Sequence, residues 1–298
     1  MLSLHHLRRL AASGHELRLG WRDRVRFLWS YYGTRLPGAE ARRLQVQQIL
    51  VRNQTPNLRL AIRTNAIDAD FVDEIFARNA YRLTIPGVRT ILDLGANIGL
   101  ASVFLQLAYP DAALACVEPV PANIRMIKLN FELNNLAVRL FEAAVGPEDG
   151  EAQFQILPSD PGAGSALYAG VIPDSRPEIV TVPMISVPSI MRTLGWDRID
   201  LLKLDIEGGE RQLLSHRPEW LAKVGAIIGE GHRGFGDDYS FEVMAGQLSP
   251  FGLRVRLLED RGGAFVFAAD SDSARITELP RHLETGLGPI RRSHAFPG

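Results

Sequence analysis

The run Thr90-Ile-Leu-Asp-Leu-Gly-Ala-Asn-Ile-Gly-Leu100 constrains the chain more than any other segment. An apolar stretch of strand length ends in an acid, a glycine-rich turn follows, and Leu100–Tyr109 then has helical spacing. Strand, tight turn and helix in this order are the opening unit of an α/β sheet. Such a turn lets a small ligand lie against backbone N–H groups at the sheet edge. Glycine spacing narrows the ligand. A dinucleotide turn needs G-x-G-x-x-G, whereas here Asn97 stands two residues after Gly95 and the next glycine is Gly99. A phosphate-cradling loop needs a Lys after its second glycine, and none follows. What remains is D-x-G-x-N-x-G, either a structural turn or one suited to an amino-acid-like, sulfonium-bearing ligand.

Length and composition set the class. The 298 residues suit one large domain, or one domain with an extension, and 46% hydrophobic with 22% charged residues is ordinary for a globular protein. A formal net charge of -1 argues against nucleic-acid binding by bulk electrostatics. The single cysteine, Cys116, excludes an internal disulfide framework and a cysteine zinc cluster. It stands in the apolar run Ala112–Val117, the setting of a buried strand thiol. No run of about 18 apolar residues is present, so no spanning helix is expected. The N-terminus lacks the apolar core of a signal peptide, and a cytoplasmic location is the default expectation.

Charge is unevenly distributed. Residues 1–45 carry Arg8, Arg9, Arg18, Arg22, Arg24, Arg26, Arg35, Arg42 and Arg43 against Glu16, Asp23 and Glu40. Leu4, Leu7 and Leu10, then Trp21, Val25, Leu28 and Trp29, recur near helical spacing. Short basic amphipathic helices follow, acting either as a cap on the core or as a contact with a membrane surface or a protein partner. His5 and His6 read as solvated tail residues. Gln45–Arg63 has room for a strand pair, Ala69–Ala80 reads as a helix with Phe71, Ile75 and Phe76 on one face, and Ile85-Pro-Gly87 marks a boundary. The expected division is therefore a basic, mostly helical extension over 1–85, a sheet domain over 86–270 and a tail over 271–298.

From Arg89 onward strands and helices alternate. Strands are expected at 90–94, 113–117, 138–143, 199–204, 226–229, 254–258 and 264–268, and helices at 100–109, 121–134, 209–215 and 241–248. Continuous apolar strands point to a parallel sheet covered on both faces, and the last two, close in sequence, to an antiparallel edge hairpin. The fold class is thus a Rossmann-like, seven-stranded, mostly parallel sheet. Ligands of such sheets bind at the carboxyl ends of the strands. Pro158–Pro177, rich in Pro, Gly, Ser and Ala, reads as a substrate loop or a disordered insertion.

Polar residues gather at those strand ends. Asp93 is placed to accept hydrogen bonds from the turn and to face a ligand amine. Glu118 can take both ribose hydroxyls of a nucleoside in its two oxygens. Glu142 stands where an adenine amino group would lie, or is simply a solvated acid. Lys203, Asp205 and Glu207 alternate with Leu202, Leu204 and Ile206, so an extended backbone sends all three charges to one face. Charges inside a parallel sheet require pairing or a function, and a structural Lys203–Asp205 pair is the plain alternative. Gly229-Glu-Gly-His232 ends the next strand; His232 or Asp205 is the candidate catalytic base, and Glu230 would orient the histidine. Asp205, Glu230 and His232 together are weak candidates for a divalent metal site, for Mg or Mn.

Four segments in order, Asp-Leu-Gly-Ala-Asn-Ile-Gly (93–99), Val-Glu-Pro-Val-Pro-Ala-Asn-Ile (117–124), Ala-Ala-Val-Gly (143–146) and Leu-Leu-Lys-Leu-Asp-Ile-Glu-Gly-Gly-Glu (201–210), resemble the FkbM-type methyltransferases over roughly Arg89 to Ala268. The resemblance implies an S-adenosylmethionine-dependent enzyme that methylates a hydroxyl of a sugar or secondary metabolite. It implies that Asp93, Gly95, Asn97 and Gly99 line the methionine end of the cofactor, that Glu118 binds the ribose, that Ser165 lies beside the cofactor, and that Asp205 and His232 lie near the transferred methyl. The chain departs from the family where Thr-Leu-Asp often precedes the fourth strand: Ser186-Val-Pro188 stands there and an acid is missing. Alternatives left open are N-methylation, since the nucleophile belongs to the substrate, and a non-catalytic protein that uses its basic N-terminal helices for interaction. The acceptor is expected to be a small molecule or glycan, recognised by loops such as 158–177 and 233–239.

Overall fold

The computed structural model describes residues 12–33, 44–54, 56–65, 67–156, 178–215, 217–233 and 239–277. Leu4, Leu7, Leu10, His5, His6, Ser165, the rest of the 158–177 segment and most of the C-terminal tail lie outside the described residues.

The N-terminal part holds helix α1 (Trp21–Tyr32), an antiparallel pair of β1 (Val46–Val51) with β2 (Leu58–Arg63), and α2 (Ile67–Val72), which runs on into a π-helical turn, Asp73–Ala77. Then follow β3 (Thr90–Leu94), α3 (Leu100–Ala108), β4 (Ala113–Val117), α4 (Pro121–Leu133), β5 (Arg139–Phe141), β6 (Ala144–Gly146) and β7 (Gly150–Ile156). After them come β8 (Glu178–Ser186), α5 (Val187–Leu194), β9 (Ile199–Leu204), α6 (Glu210–Leu213), β10 (Val224–His232), α7 (Phe241–Leu248), β11 (Arg254–Asp260) and β12 (Ala264–Asp270).

The main sheet has seven strands in the order β11-β12-β10-β9-β3-β4-β5. All seven expected strands belong to it. The hairpin sits at the edge as expected, and the strand that runs antiparallel is β12, one place in, between β10 and β11. Alternation sorts the core. Ile91 and Leu201 pack with the N-terminal layer around Phe27, Phe76 and Phe104. Leu92, Leu94, Leu202 and Leu204 pack on the opposite face with α5, α7 and Phe265. The shared core explains why residues 12–85 and the sheet are joined through apolar contact.

Three features differ from expectation. A separate sheet, β6-β8-β7, flanks the main one, and α5 follows it. Both were illegible because β7 and β8 are largely exposed strands of mixed polarity, widely separated in sequence. Ser186 caps α5, and Asp149, from the turn before β7, binds this helix start. Its Oδ1 accepts from Ser186 N at 2.7 Å and Ser186 Oγ at 2.8 Å, and its Oδ2 accepts from Ser189 Oγ. The stripe assigned to α1 is also rotated: the helix buries Asp23, Phe27, Ser30 and Tyr31, whereas Trp21 is 72% and Val25 59% exposed.

The outer edge of β2 is closed by side chains rather than by a strand. Asn130 accepts from Ala61 N at 2.7 Å and donates to Ala61 O at 3.1 Å, and its amide also reaches Ile98 O in the glycine turn at 2.9 Å. Asn134 repeats the pattern on Arg59, with 3.1 Å and 2.8 Å. Arg63, the last residue of the strand, donates its N–H to Asp68 at 2.8 Å. An edge left unpaired in the interior would cost free energy for every orphaned group. Asn130 is fully buried, so Asn130→Ala should destabilise the fold by about 3 kcal/mol. Asn134→Ala, at a solvent-exposed rung, should cost about 1 kcal/mol or less. Urea midpoints followed by circular dichroism check the contrast.

Candidate functional site

A cleft open to solvent lies at the carboxyl ends of β3, β4 and β9. Its floor is the glycine turn, through Gly95, Ala96, Asn97 and Ile98. One wall is Glu118, Pro119, Val120 and Asn123 with Ala143, Ala144, Val145 and Phe154. The other is Lys203, Asp205, Ile206 and Glu207, faced by Phe71, Glu74, Ile75 and Tyr81 of the N-terminal part.

The turn has its shape because Gly95, Asn97 and Gly99 all take left-handed backbone, with φ of 80°, 53° and 83°. At Gly95 no side chain fits, since a Cβ would stand 1.9 Å from the carbonyl oxygen of Asp205. Gly95 N and Ala96 N are both held by Val117 O, at 3.1 and 3.0 Å. Gly99 is not a lining residue. It lets the turn pack on α4, where a Cβ would meet Phe131 at 3.2 Å and Ile127 at 3.3 Å.

Asp93 is fully buried beneath the turn and does not line the cleft. Its Oδ2 accepts from Ser102 Oγ at 2.6 Å and its Oδ1 lies 3.2 Å from Lys203 Nζ. Alternation along β3 turns it towards the N-terminal layer, so it supports the turn from below instead of bonding its backbone or facing a ligand amine. Lys203 is its register partner on β9. The ammonium also donates to Gly95 O at 2.6 Å and Leu94 O at 3.4 Å, and Asp205 stands further off at 3.8 Å. The closer carboxylate is therefore Asp93, not the Asp205 expected from alternation. Burial works against this charge, but Asp93 and Asp205 outweigh it and hold the ammonium above its ordinary pKa. Cys116, opposite Asp93 on β4, is a buried free thiol whose pKa burial pushes well up.

Glu118 is 4% exposed. Its Oε1 accepts from Val120 N and Asn123 Nδ2, both at 3.0 Å, and its Oε2 accepts from Asn97 N at 2.9 Å. Two lone pairs per oxygen leave one acceptor position, on Oε2. One position is therefore open at Glu118, not the two expected for a pair of ribose hydroxyls. Burial pushes the Glu118 carboxyl up to about 7, against the pull of the same hydrogen bonds. Glu142 stands outside the cleft. Strand β5 stops one residue earlier, at Phe141, and the half-exposed Glu142 pairs with Lys128 at 2.6 Å. Ala143–Val145 line the cleft there instead.

Asp205, Glu207 and His232 converge, although the strand ends at Leu204 and Glu207 turns into left-handed backbone with φ 52°. His232 Nε2 lies 3.5 Å from Glu207 and 4.0 Å from Asp205, and Nδ1 lies 3.1 Å from Glu210. Burial disfavours the imidazolium, yet Glu210, Glu207 and Glu230 outweigh it and raise the His232 pKa well above its ordinary value. His232 is not among the residues that line the cleft, where Asp205 and Glu207 stand instead. Glu230 does not join this group: it faces Arg261 at 3.5 Å, in a smaller cavity shared with Glu74 and Tyr81.

Glu210 takes its place, since Asp205, Glu210 and His232 bring one ligand atom each within 4.8 Å. Yet Glu210 Oε1 already accepts from Ile206 N at 2.8 Å and faces His232 Nδ1, and Oε2 faces Gly208 N at 3.1 Å and His232 N at 3.4 Å. A fully buried carboxylate engaged at four positions is a loop anchor, poorly suited to a metal. Tyr81 was not foreseen, because it precedes every motif. Its ring lies 6.0 Å from the Lys203 ammonium, and burial with Asp205, Glu74 and Glu230 raises its hydroxyl pKa well above 10.0. Among the described residues no helix is long and apolar enough to cross a membrane.

The model of the methyltransferase FkbM domain matches residues 93–245. Methyltransferase 1 of Beauveria bassiana is 28% identical over 170 residues, covering 50% of this chain and 67% of its own. The 31-O-demethyl-FK506 methyltransferase FkbM of Streptomyces tacrolimicus is 25% identical over 211 residues, covering 59% and 80%. Among solved structures, a methyltransferase FkbM from Methylobacillus flagellatus superposes with a TM-score of 0.43 at 13% identity over 61% of this chain, which spans 43% of that one. The domain match runs from Asp93 through the glycine turn, Glu118 and the Lys203–Glu210 segment to His232, and on that ground the chain belongs to the FkbM family of S-adenosylmethionine-dependent methyltransferases.

Proposed function

We propose that the chain transfers a methyl group to a hydroxyl oxygen of a small molecule or glycan. One observation carries this reading: a single cleft joins the Gly95–Ile98 turn and Glu118, which suit a nucleoside bearing an amino acid, to the ionisable carboxylate of Asp205. When bound, S-adenosylmethionine supplies an electrophilic methyl group on a sulfonium. The residues present fit it. Backbone at the turn meets the amino-acid end, the free position on Glu118 Oε2 accepts a ribose hydroxyl, and the small apolar Ala143–Val145 wall meets a flat base.

Asp205 is the group that takes the proton of the acceptor hydroxyl as its oxygen forms the new bond to carbon. Lys203 at 3.8 Å and His232 at 4.0 Å flank it with positive charge and orient it. Phe71 and Tyr81 offer apolar faces against which an acceptor ring can lie, so that positioning supplies much of the rate. The relative from Streptomyces tacrolimicus, named for transfer to an oxygen, supports an O-acceptor.

Calorimetry should show one S-adenosylmethionine per chain, and folded protein that fails to bind would sink the assignment. Asp205→Asn should leave that affinity within about threefold and lower turnover by roughly a hundredfold or more. Turnover equal to wild type would remove Asp205 as the base. Because Glu210 is already saturated, activity is expected to survive chelation, and loss on EDTA with recovery on Mg or Mn would overturn this view of the acidic cluster. Glu118 supplies a pH test. Its ionised form accepts a ribose hydroxyl and its protonated form fills the free position, so adenosine, which carries no titrating group near neutrality, should bind more tightly as pH rises through about 7. Glu118→Gln should flatten that profile.

A further inference from the structure

A chain of buried polar contacts runs from the N-terminal hairpin to the cleft. Asp68, fully buried, holds Arg63 through two bonds of 2.9 Å, from Nε to Oδ2 and from Nη2 to Oδ1. The remaining arm of the guanidinium, Nη1, donates to Asn123 Oδ1 at 2.9 Å. Asn123 Nδ2 then donates to Glu118 Oε1 at 3.0 Å, and Asn97 N to Glu118 Oε2 at 2.9 Å. Arg63 is 3% and Asn123 is 3% exposed, so water does not substitute for these partners.

We infer that Arg63 is a positioning residue for nucleoside recognition: through Asn123 it sets the face that Glu118 presents to the ribose. The inference rests on Glu118 being the ribose acid. Its logic is that of donors and acceptors. A guanidinium only donates, so the carbonyl of the Asn123 amide must face Arg63, and its NH₂ must then face Glu118. The NH₂ occupies the second position on Oε1, already met by Val120 N. The one open acceptor position is left on Oε2, beside Asn97 in the turn. Without Arg63 the Asn123 carbonyl loses its donor, and the amide is no longer clamped in one plane against the carboxylate. The bidentate Asp68 clamp fixes the guanidinium plane, a task a lysine ammonium cannot perform. Part of the ribose site therefore belongs to a segment that lies before the matched family domain.

The test is competition against S-adenosylhomocysteine by adenosine, 2′-deoxyadenosine and 3′-deoxyadenosine on the full chain. Wild type should prefer adenosine over one deoxy analogue by about tenfold or more, the magnitude of a hydrogen bond to a charged acceptor. Glu118→Gln should reduce that preference to about twofold, and if it does not, the ribose assignment of Glu118 fails before Arg63 is judged. Arg63→Ala leaves the Asp68 charge buried and unpaired and is unsuitable alone. The double variant Arg63→Met/Asp68→Leu removes the pair together, and Asn123→Leu removes the link. Both should reproduce the loss of preference in protein shown to be folded by circular dichroism, and combining the double variant with Glu118→Gln should add nothing further. Folded Arg63→Met/Asp68→Leu protein that keeps the wild-type preference would overturn the inference.

Discussion

The site depends on the buried pair of Lys203 with Asp93. The two are register partners at the centre of the sheet, on β9 and β3, the strands whose ends carry the cleft. A buried ion pair contributes little net stability, but losing one member leaves an uncompensated charge and costs about 3–5 kcal/mol. Here the ammonium has further work. Its bond to Gly95 O draws the glycine turn onto the end of β9, and this closeness is why Gly95 has no room for a Cβ beside Asp205. Ser102 on α3 binds the other oxygen of Asp93, so the pair also sets the start of that helix. Sheet centre, turn and helix entry are thus locked by one salt bridge, and Asp205 inherits its position from the same strand end.

A second consequence concerns the N-terminal part. The family domain begins at Asp93, yet Phe71, Glu74, Ile75 and Tyr81 form a wall of the cleft. They are held there by a shared apolar core and by the Asn130 and Asn134 amides that complete the edge of β2. Of the arginines that suggested a contact arm, Arg26 reaches the buried Asp23 at 3.5 Å, as Arg52 does at 3.3 Å, whereas Arg63 on β2 turns inward. A segment that looked peripheral by charge is partly a structural component of the cleft.

The strands of the main sheet were legible because burial on both faces leaves a continuous apolar run, a signal that needs no knowledge of partners. Glu118 was legible as a strand-end acid for the same reason, since the chain exits the sheet where β4 stops. The same rule failed at Glu142, where β5 ends one residue sooner and the side chain turns to Lys128. It failed in another way at Asp93, whose strand continues one residue further and so buries the carboxylate. Side-chain partners were illegible wherever they are distant in sequence. Asn123 lies inside a recognised segment, but its role depends on Arg63, 60 residues earlier, and no local pattern records that contact. Tyr81 and Glu210 escaped notice likewise, being defined by what surrounds them in space.

His232 shows how environment decides chemistry among residues of the right type. An imidazole of ordinary pKa near the transferred methyl would be a natural base. Burial works against its charge, but Glu210 and Glu207, with Asp205 nearby, favour the imidazolium. Held among these acids, the ring steadies the carboxylate in front of it. Asp205, unlike His232, lines the cleft, beside Glu207, so the proposed base is the carboxylate in front of the imidazole and not the imidazole itself.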